Sequence, residues 1–137
     1  MQHKSRFSAF VASGENPREA IVKAIEFARE FMTGASLSSK AEVKTLIIVE
    51  ELVSNVLRHS DPAQDVNLTL SLDNTNDAVF VEIDDDSVAF DASREREFIG
   101  PDPDNGGSVG LAIVRAWGDD LTYGRRDGRN SLKLTVK

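Results

Sequence analysis

The 137-residue chain contains no cysteine and only two histidines, His3 and His59. The lack of thiols excludes thiolate catalysis, disulfide frameworks and zinc sites with thiolate ligands, and two histidines are too few for an ordinary histidine-rich metal site. Lysine and arginine number 16 against 23 aspartate and glutamate residues, which gives a net charge of −7. A nucleic-acid surface requires a basic face, so this balance argues against nucleic acid as a partner.

Long apolar runs are also missing. The apolar stretch near the N-terminus, residues 7–12, is interrupted by Ser8 and stops at Ser13-Gly14. A secretory signal is longer, and a membrane-spanning helix needs about 20 residues. We therefore expect a cytoplasmic protein without a membrane segment. The length is that of one domain, residues 1–137, whose core needs neither metal nor disulfide.

Hydrophobic periodicity predicts three helices and about five strands. The helices are expected at 17–32, from 39 to about 60, and at 108–117, and the strands at 6–12, 66–72, 78–84, 121–125 and 131–136. The fold class is α/β, as an α+β two-layer sandwich. Its mixed, mostly antiparallel sheet would carry three helices on one face and leave the other face to solvent or a partner. The expected interior of the second helix is Val43, Leu46, Ile47, Val49, Val53 and Leu57.

The C-terminal half of the second helix carries a polar stripe. Glu51 and Asn55 are four residues apart and share a face, with Arg58 and His59 one turn further on. A glutamate can accept a proton, an asparagine carbonyl can hold a hard cation and an arginine can meet phosphate. The alternative for this stripe is a helix whose polar side reaches water, with Glu51 either paired to Arg58 or simply solvated.

Two later segments extend this pattern. Asp85 continues the phase of Val79, Val81 and Ile83 along its strand, so it should point toward the covered side of the sheet. The stretch 91–107 is rich in turn formers, which favours a functional loop such as a lid, with a disordered connection as the alternative. The helix that follows begins beside glycines, and such a start suits phosphate.

One cluster of basic residues stands apart from this pattern. It comprises Arg125, Arg126 and Arg129, which flank Asp127-Gly128. Because Asp-Gly is typical of a tight hairpin turn, we interpret the three arginines as the solvated side chains of that turn. Contact with a partner is the alternative. No Gly-x-x-x-x-Gly-Lys-Ser/Thr pattern occurs, which excludes a Walker-type phosphate loop.

A helix with Glu-x-x-x-Asn, a strand ending in Asp and a glycine-lined helix start follow in a fixed order. This order resembles the GHKL, or Bergerat-fold, ATPase superfamily from about Ala41 to Lys137. Within it the chain looks most like the stand-alone anti-sigma factor serine/threonine kinases of bacteria. The segments that carry this closer likeness are 51–55 with His59, 114–123, and Gly128, Asn130 and Leu132.

The resemblance implies ATP and Mg²⁺ as cofactors and assigns roles to single residues. Asn55 would hold Mg²⁺ at the phosphates, Glu51 would be the general base, and Arg58 or His59 would lie near the phosphates. Asp85 would accept the adenine amino group. The lid end and the helix start over the phosphates would be formed by Gly106, Gly107, Gly110 and Leu111.

The sequence departs from the superfamily pattern at three places. Ser87 and Ala89 stand where the adenine box usually has glycines, and Ser108 stands at the first glycine of the second box. A positive φ at Ser87 would carry a steric cost. We nevertheless expect Ser87 and Ala89 to line the nucleotide site.

Four functions follow from these observations. The first is a serine/threonine protein kinase that phosphorylates a small STAS-type anti-sigma factor antagonist and holds a sigma factor inactive. The second is a non-catalytic switch, with or without nucleotide, which Ser87 and Ser108 favour. The third is the catalytic half of a histidine kinase acting on a separate partner, and the fourth is a domain without nucleotide. The sequence leaves open whether the chain forms a homodimer.

Overall fold

The computed structural model describes residues 3–59, 63–75, 77–89 and 107–137. The predicted end of the second helix at Asp61-Pro62 and the loop 91–106 lie outside these residues. The strands are β1 (His3–Val11), β2 (Val66–Thr75), β3 (Ala78–Asp85), β4 (Gly118–Arg126) and β5 (Arg129–Val136). The helices are α1 (Arg18–Thr33), α2 (Ser39–His59) and α3 (Gly107–Trp117).

The strands form one sheet in the order β1-β2-β3-β5-β4, and all four pairings are antiparallel. The helices lie on a single face of this sheet, because the apolar positions of the strands alternate toward one side. The predicted α+β two-layer sandwich with five strands and three helices is confirmed, although the described pairings are all antiparallel and the sheet is not mixed as predicted. The sheet contains two hairpins, β2–β3 and β4–β5, and the pairing of β3 with β5 brings these distant parts of the chain side by side.

Local hydrogen bonds explain where the elements begin. The Asn16 side chain accepts a bond from the backbone N–H of Arg18 at 3.0 Å, and the Ser38 hydroxyl accepts one from Ala41 N–H at 3.1 Å. The Ser38 contact is a helix cap, whereas Pro17 occupies the N-cap position of α1 and the Asn16 bond lies just before it. At the β4–β5 turn, Asp127 and Gly128 adopt φ values of 53° and 76°. Left-handed backbone at two central residues is the geometry of a tight hairpin, as expected from Asp-Gly.

The core fills the space between the sheet and α1 to α3. Its strand residues are Val11, Val66, Leu68, Leu70, Leu72, Val79, Val81, Ile83, Leu132, Leu134 and Val136. In α2 the buried side includes Ile48, Leu52 and Val53, whereas Val43 is 55% exposed. Placing Val43 in the interior was therefore wrong, since it lies on the opposite side of the helix from Thr45 and Ile48.

The turn predicted for 73–77 also begins later than expected. β2 continues to Thr75, and Asn74 is buried and paired with Val79 of β3 and His3 of β1. Polar residues can extend a strand where tertiary pairing outweighs local propensity. No helix among the described residues is long and apolar enough to cross a membrane.

A pair of valine substitutions in α2 tests this burial pattern. We expect Val53→Ala to lower the free energy of unfolding by about 2–3 kcal/mol, because it removes two buried methyl groups and leaves a cavity. Val43→Ala makes the same chemical change at an exposed position, and we expect an effect within about 0.5 kcal/mol. Denaturant unfolding of both variants measures the difference, and equal effects would contradict the orientation of α2.

Candidate functional site

Two residues of the polar stripe of α2, Glu51 and Asn55, are turned into the protein. Asn55 is 5% exposed, and its Oδ1 is a buried acceptor with no hydrogen-bond donor among the described residues. Glu51 is half-buried one turn earlier, and Arg58 is exposed. No salt bridge joins Glu51 to Arg58 in the part of the chain that the structure describes. A solvated helix face with a Glu51–Arg58 pair therefore does not account for this stripe.

The carboxylate of Glu51 lies against the first turn of α3. The contact is at Gly110, where a β-carbon would be 1.8 Å from Glu51 Oε2. Burial raises the pKa of Glu51 above its ordinary value of 4.5; the Arg58 charge lowers this pKa and the Glu50 charge raises it. A carboxyl group with a raised pKa is suited to accept a proton near neutral pH.

Asp85, at the end of β3, is the second buried acidic site. It is 4% exposed, which confirms the orientation predicted from its strand phase. Its Oδ1 accepts hydrogen bonds from Ser87 N–H at 3.0 Å, from the Ser87 hydroxyl, and from Asn130 Nδ2 at 3.0 Å. Among the described residues, no hydrogen bond reaches the other oxygen, Oδ2.

Asn130 connects Asp85 to the last strands of the sheet. Its Oδ1 accepts bonds from the Tyr123 hydroxyl at 2.5 Å and from the Arg125 guanidinium at 2.9 Å. Its Nδ2 donates to Asp85 and, at 2.9 Å, to the Val88 carbonyl. The two donors at Oδ1 and the two acceptors at Nδ2 fix the orientation of the Asn130 amide. Asn130 therefore holds the Asp85 carboxylate in one orientation.

All three arginines at the β4–β5 turn are exposed, as a solvated turn requires, but Arg125 also forms hydrogen bonds at the site. Its guanidinium donates to Asn130 and, at 3.1 Å, to the Ser87 carbonyl. Asp85, Asn130 and Arg125 are direct neighbours across β3, β5 and β4 and share the inner face. Sequence reasoning missed this network, although Asn130 shares the phase of the buried Leu132 and Leu134, which is the signal that could have found it.

The segment after β3 is fixed without backbone strain. Ser87 is buried and is not among the described residues with positive φ, so the predicted steric cost does not arise. Asp86 accepts bonds from the backbone and side-chain nitrogens of Asn67 at 2.7 and 2.9 Å, which ties the segment to β2. Ala89 is exposed. The serine therefore replaces glycine with a hydrogen-bonding residue that is part of the site.

The remaining predicted residues lie at helix ends. His59 is the last residue of α2 and Gly107 the first of α3, whereas Gly106 lies outside the described residues. The Leu111 side chain is 4% exposed and belongs to the hydrophobic core. It therefore packs α3 against the sandwich, and a role for its backbone at a helix start stays a prediction.

These residues define a class of site. The described residues include a half-buried carboxylate, a buried amide oxygen without a donor among them, and a buried aspartate whose Oδ2 accepts no hydrogen bond from them. Groups of this kind suit a polar ligand carrying both a cation and hydrogen-bond donors. The family model for the histidine kinase-like ATPase domain matches residues 15–136. The chain belongs to this family, and the family supports ATP binding and kinase-like chemistry. No curated protein matches the chain significantly.

Removing the Asn130 amide tests the network around Asp85. We expect Asn130→Ala to lower the free energy of unfolding by about 2–3 kcal/mol, because the Tyr123 hydroxyl and the Val88 carbonyl lose their partner and Arg125 loses one of its two. Ser131→Ala, at the next residue on the other face of β5, is the control and should change stability by less than about 1 kcal/mol. Chemical unfolding measures both, and similar losses would argue against the network.

The raised pKa of Glu51 predicts how stability depends on pH. Because this pKa is higher in the folded than in the unfolded chain, the contribution of Glu51 is fully present below the unfolded value near 4.5 and is lost as pH rises through the folded value. Glu51→Gln removes this dependence. We expect the variant to gain stability relative to the native protein as pH rises from about 4 to about 7. A gain that stays constant or shrinks over this range would contradict the burial of Glu51.

Proposed function

We propose that the protein is an ATP-dependent serine/threonine kinase and anti-sigma regulatory factor that phosphorylates a small anti-sigma factor antagonist. The observation that carries the proposal is a pair of residues on α2. Glu51 is a half-buried carboxylate with a raised pKa, and one turn further on the buried oxygen of Asn55 has no donor among the described residues. The first can take a proton from a hydroxyl and the second can hold a cation. Phosphoryl transfer needs both.

The proposed step is a balanced transfer. The serine or threonine oxygen of the antagonist forms a bond to the γ-phosphorus of ATP, and the bond from that phosphorus to the bridging oxygen breaks. The hydroxyl proton passes to Glu51, and ADP leaves. Partial burial of Glu51 favours this role, because the raised pKa strengthens the carboxylate as a base.

The side-chain oxygen of Asn55 is a chemically suitable ligand for Mg²⁺. Asn55 Oδ1 is a neutral oxygen ligand of the type that hard cations accept, and it lacks a donor among the described residues. No three His, Cys, Asp or Glu side chains converge on a metal position in the described ranges. The cation would therefore share Asn55 with nucleotide phosphates and water, which is how Mg²⁺ is usually held. When bound, Mg²⁺ neutralises phosphate charge.

Asp85 is proposed to select the base. Ser87 and Asn130 saturate Oδ1, so a ligand meets Oδ2, which can only accept a hydrogen bond while the carboxylate is ionised. The amino group of adenine donates, whereas the corresponding group of guanine is a carbonyl. A fixed acceptor therefore favours ATP over GTP.

The partners are proposed from the resemblance of residues 51–59 and 114–132 to the stand-alone anti-sigma kinases. They are a STAS-type antagonist, as the phosphoryl acceptor, and a sigma factor or analogous protein that the kinase holds inactive. The acidic balance of the chain, with a net charge of −7, favours protein partners over nucleic acid.

A transfer assay with labelled ATP and a STAS-type antagonist tests the function. We expect Asn55→Ala to reduce phosphoprotein formation about 100-fold or more, since the cation loses its protein ligand. Ser54→Ala changes the neighbouring buried residue and should retain most of the activity. If the native protein forms no more phosphoprotein than Asn55→Ala, the kinase proposal fails.

The second candidate is a non-catalytic switch in which the nucleotide site shapes a partner-binding surface. The contacts of Ser87 favour it, because a hydroxyl and a backbone N–H already hold the carboxylate that would bind the base. This function requires partner binding that depends on ATP but survives Glu51→Gln. Turnover that Glu51→Gln abolishes would exclude it.

A further inference from the structure

Gly110 lies in the first turn of α3. The three atoms nearest to the position that a β-carbon of residue 110 would take all belong to Glu51. A β-carbon at position 110 would lie 1.8 Å from Glu51 Oε2, 2.5 Å from Cδ and 3.3 Å from Cγ. Non-bonded carbon and oxygen atoms do not approach this closely. The Glu51 carboxylate therefore occupies the space that a side chain at position 110 would fill.

We propose that Gly110 is a positioning residue for Glu51: the absence of a side chain at this point of α3 fixes where the catalytic carboxylate lies. The inference rests on the proposed function, in which Glu51 is the base. It gives Gly110 a role distinct from contact with phosphate. The distances involve only the outer atoms of the Glu51 side chain, so a methyl group at position 110 displaces the carboxylate and leaves α3 in place.

The position of a general base matters because it must lie within about 2.6–3.2 Å of the proton that it accepts. A misplacement of about 1 Å can lower a rate about 100-fold. Residues 51 and 110 belong to different helices, α2 and α3, which pack against each other. The packing of α3 on α2 therefore determines the position of the Glu51 carboxylate as well as the packing of the core.

Enzyme kinetics with matched glycine variants test the inference. We expect Gly110→Ala to lower kcat about 100-fold and to change KM for ATP less than about threefold. Gly124→Ala is the control, because a β-carbon there would have nothing within 4 Å. A rise in KM with unchanged kcat would assign Gly110 to phosphate binding instead, and equal kcat in both variants would overturn the inference.

A shorter acid at position 51 tests whether the two residues are in direct contact. Glu51→Asp withdraws the carboxylate by one methylene group, so the added methyl at position 110 no longer meets it. In the Glu51→Asp background we expect Gly110→Ala to cost less than about threefold in kcat, a strongly non-additive result. The same loss in both backgrounds would contradict a direct contact.

Carbon-13 NMR of the Glu51 carboxyl group gives a readout that does not need turnover. Arg58 and Glu50 act on its pKa from α2, and the single charge of α3, Arg115, lies in the last turn. We expect Gly110→Ala to move the pKa down toward 4.5, because the displaced carboxylate enters water.

The NMR readout also separates the two proposals. Absence of phosphoryl transfer by the native protein would end the kinase proposal alone, since the contact between Gly110 and Glu51 is tested without substrate. An unchanged titration curve for Glu51 in Gly110→Ala would overturn the positioning role, even in an active kinase. With Gly124→Ala the titration curve should match that of the native chain.

Discussion

The site depends first on the buried Asn55 oxygen, which has no hydrogen-bond donor in the part of the chain that the structure describes. Asn55 follows the buried residues Leu52 and Val53 on α2, so the helix cannot turn its amide toward water without exposing the core. An unsatisfied buried acceptor costs about 1–3 kcal/mol. A bound cation would offset that cost, and the same orientation of α2 carries Glu51 against α3. The packing of the apolar residues of α2 thereby fixes the positions of the Asn55 amide and the Glu51 carboxylate.

The network at Asp85 differs from the Asn55 site, because one oxygen of the Asp85 carboxylate already accepts hydrogen bonds from its neighbours. Three adjacent strands contribute Asp85, Asn130 and Arg125 in register, and Ser87 closes the network from the following segment. Satisfied buried networks hold their members in one arrangement. The serine that stands in place of a glycine is consequently compatible with an ordered acceptor for a nucleotide base, because it takes up only Oδ1.

Local patterns in the sequence predicted much of this structure. Periodicity gave the helices and strands, and strand phase placed Asp85 on the inner face. The contacts of Asn130 and Arg125 with Asp85 depend on cross-strand register between residues about 40 positions apart, which no local pattern encodes. The contact of Gly110 with Glu51 likewise depends on how α3 packs on α2. Helical spacing also could not decide on which side of α2 Val43 lies.

Titration calorimetry of the intact chain with ATP, with and without Mg²⁺, tests most directly whether the Asn55 oxygen and Asp85 belong to one nucleotide site. We expect saturable binding of one ATP per chain, with an affinity that falls about tenfold or more when Mg²⁺ is removed. The absence of any binding of Mg-ATP, or equal affinity with and without the cation, would contradict it.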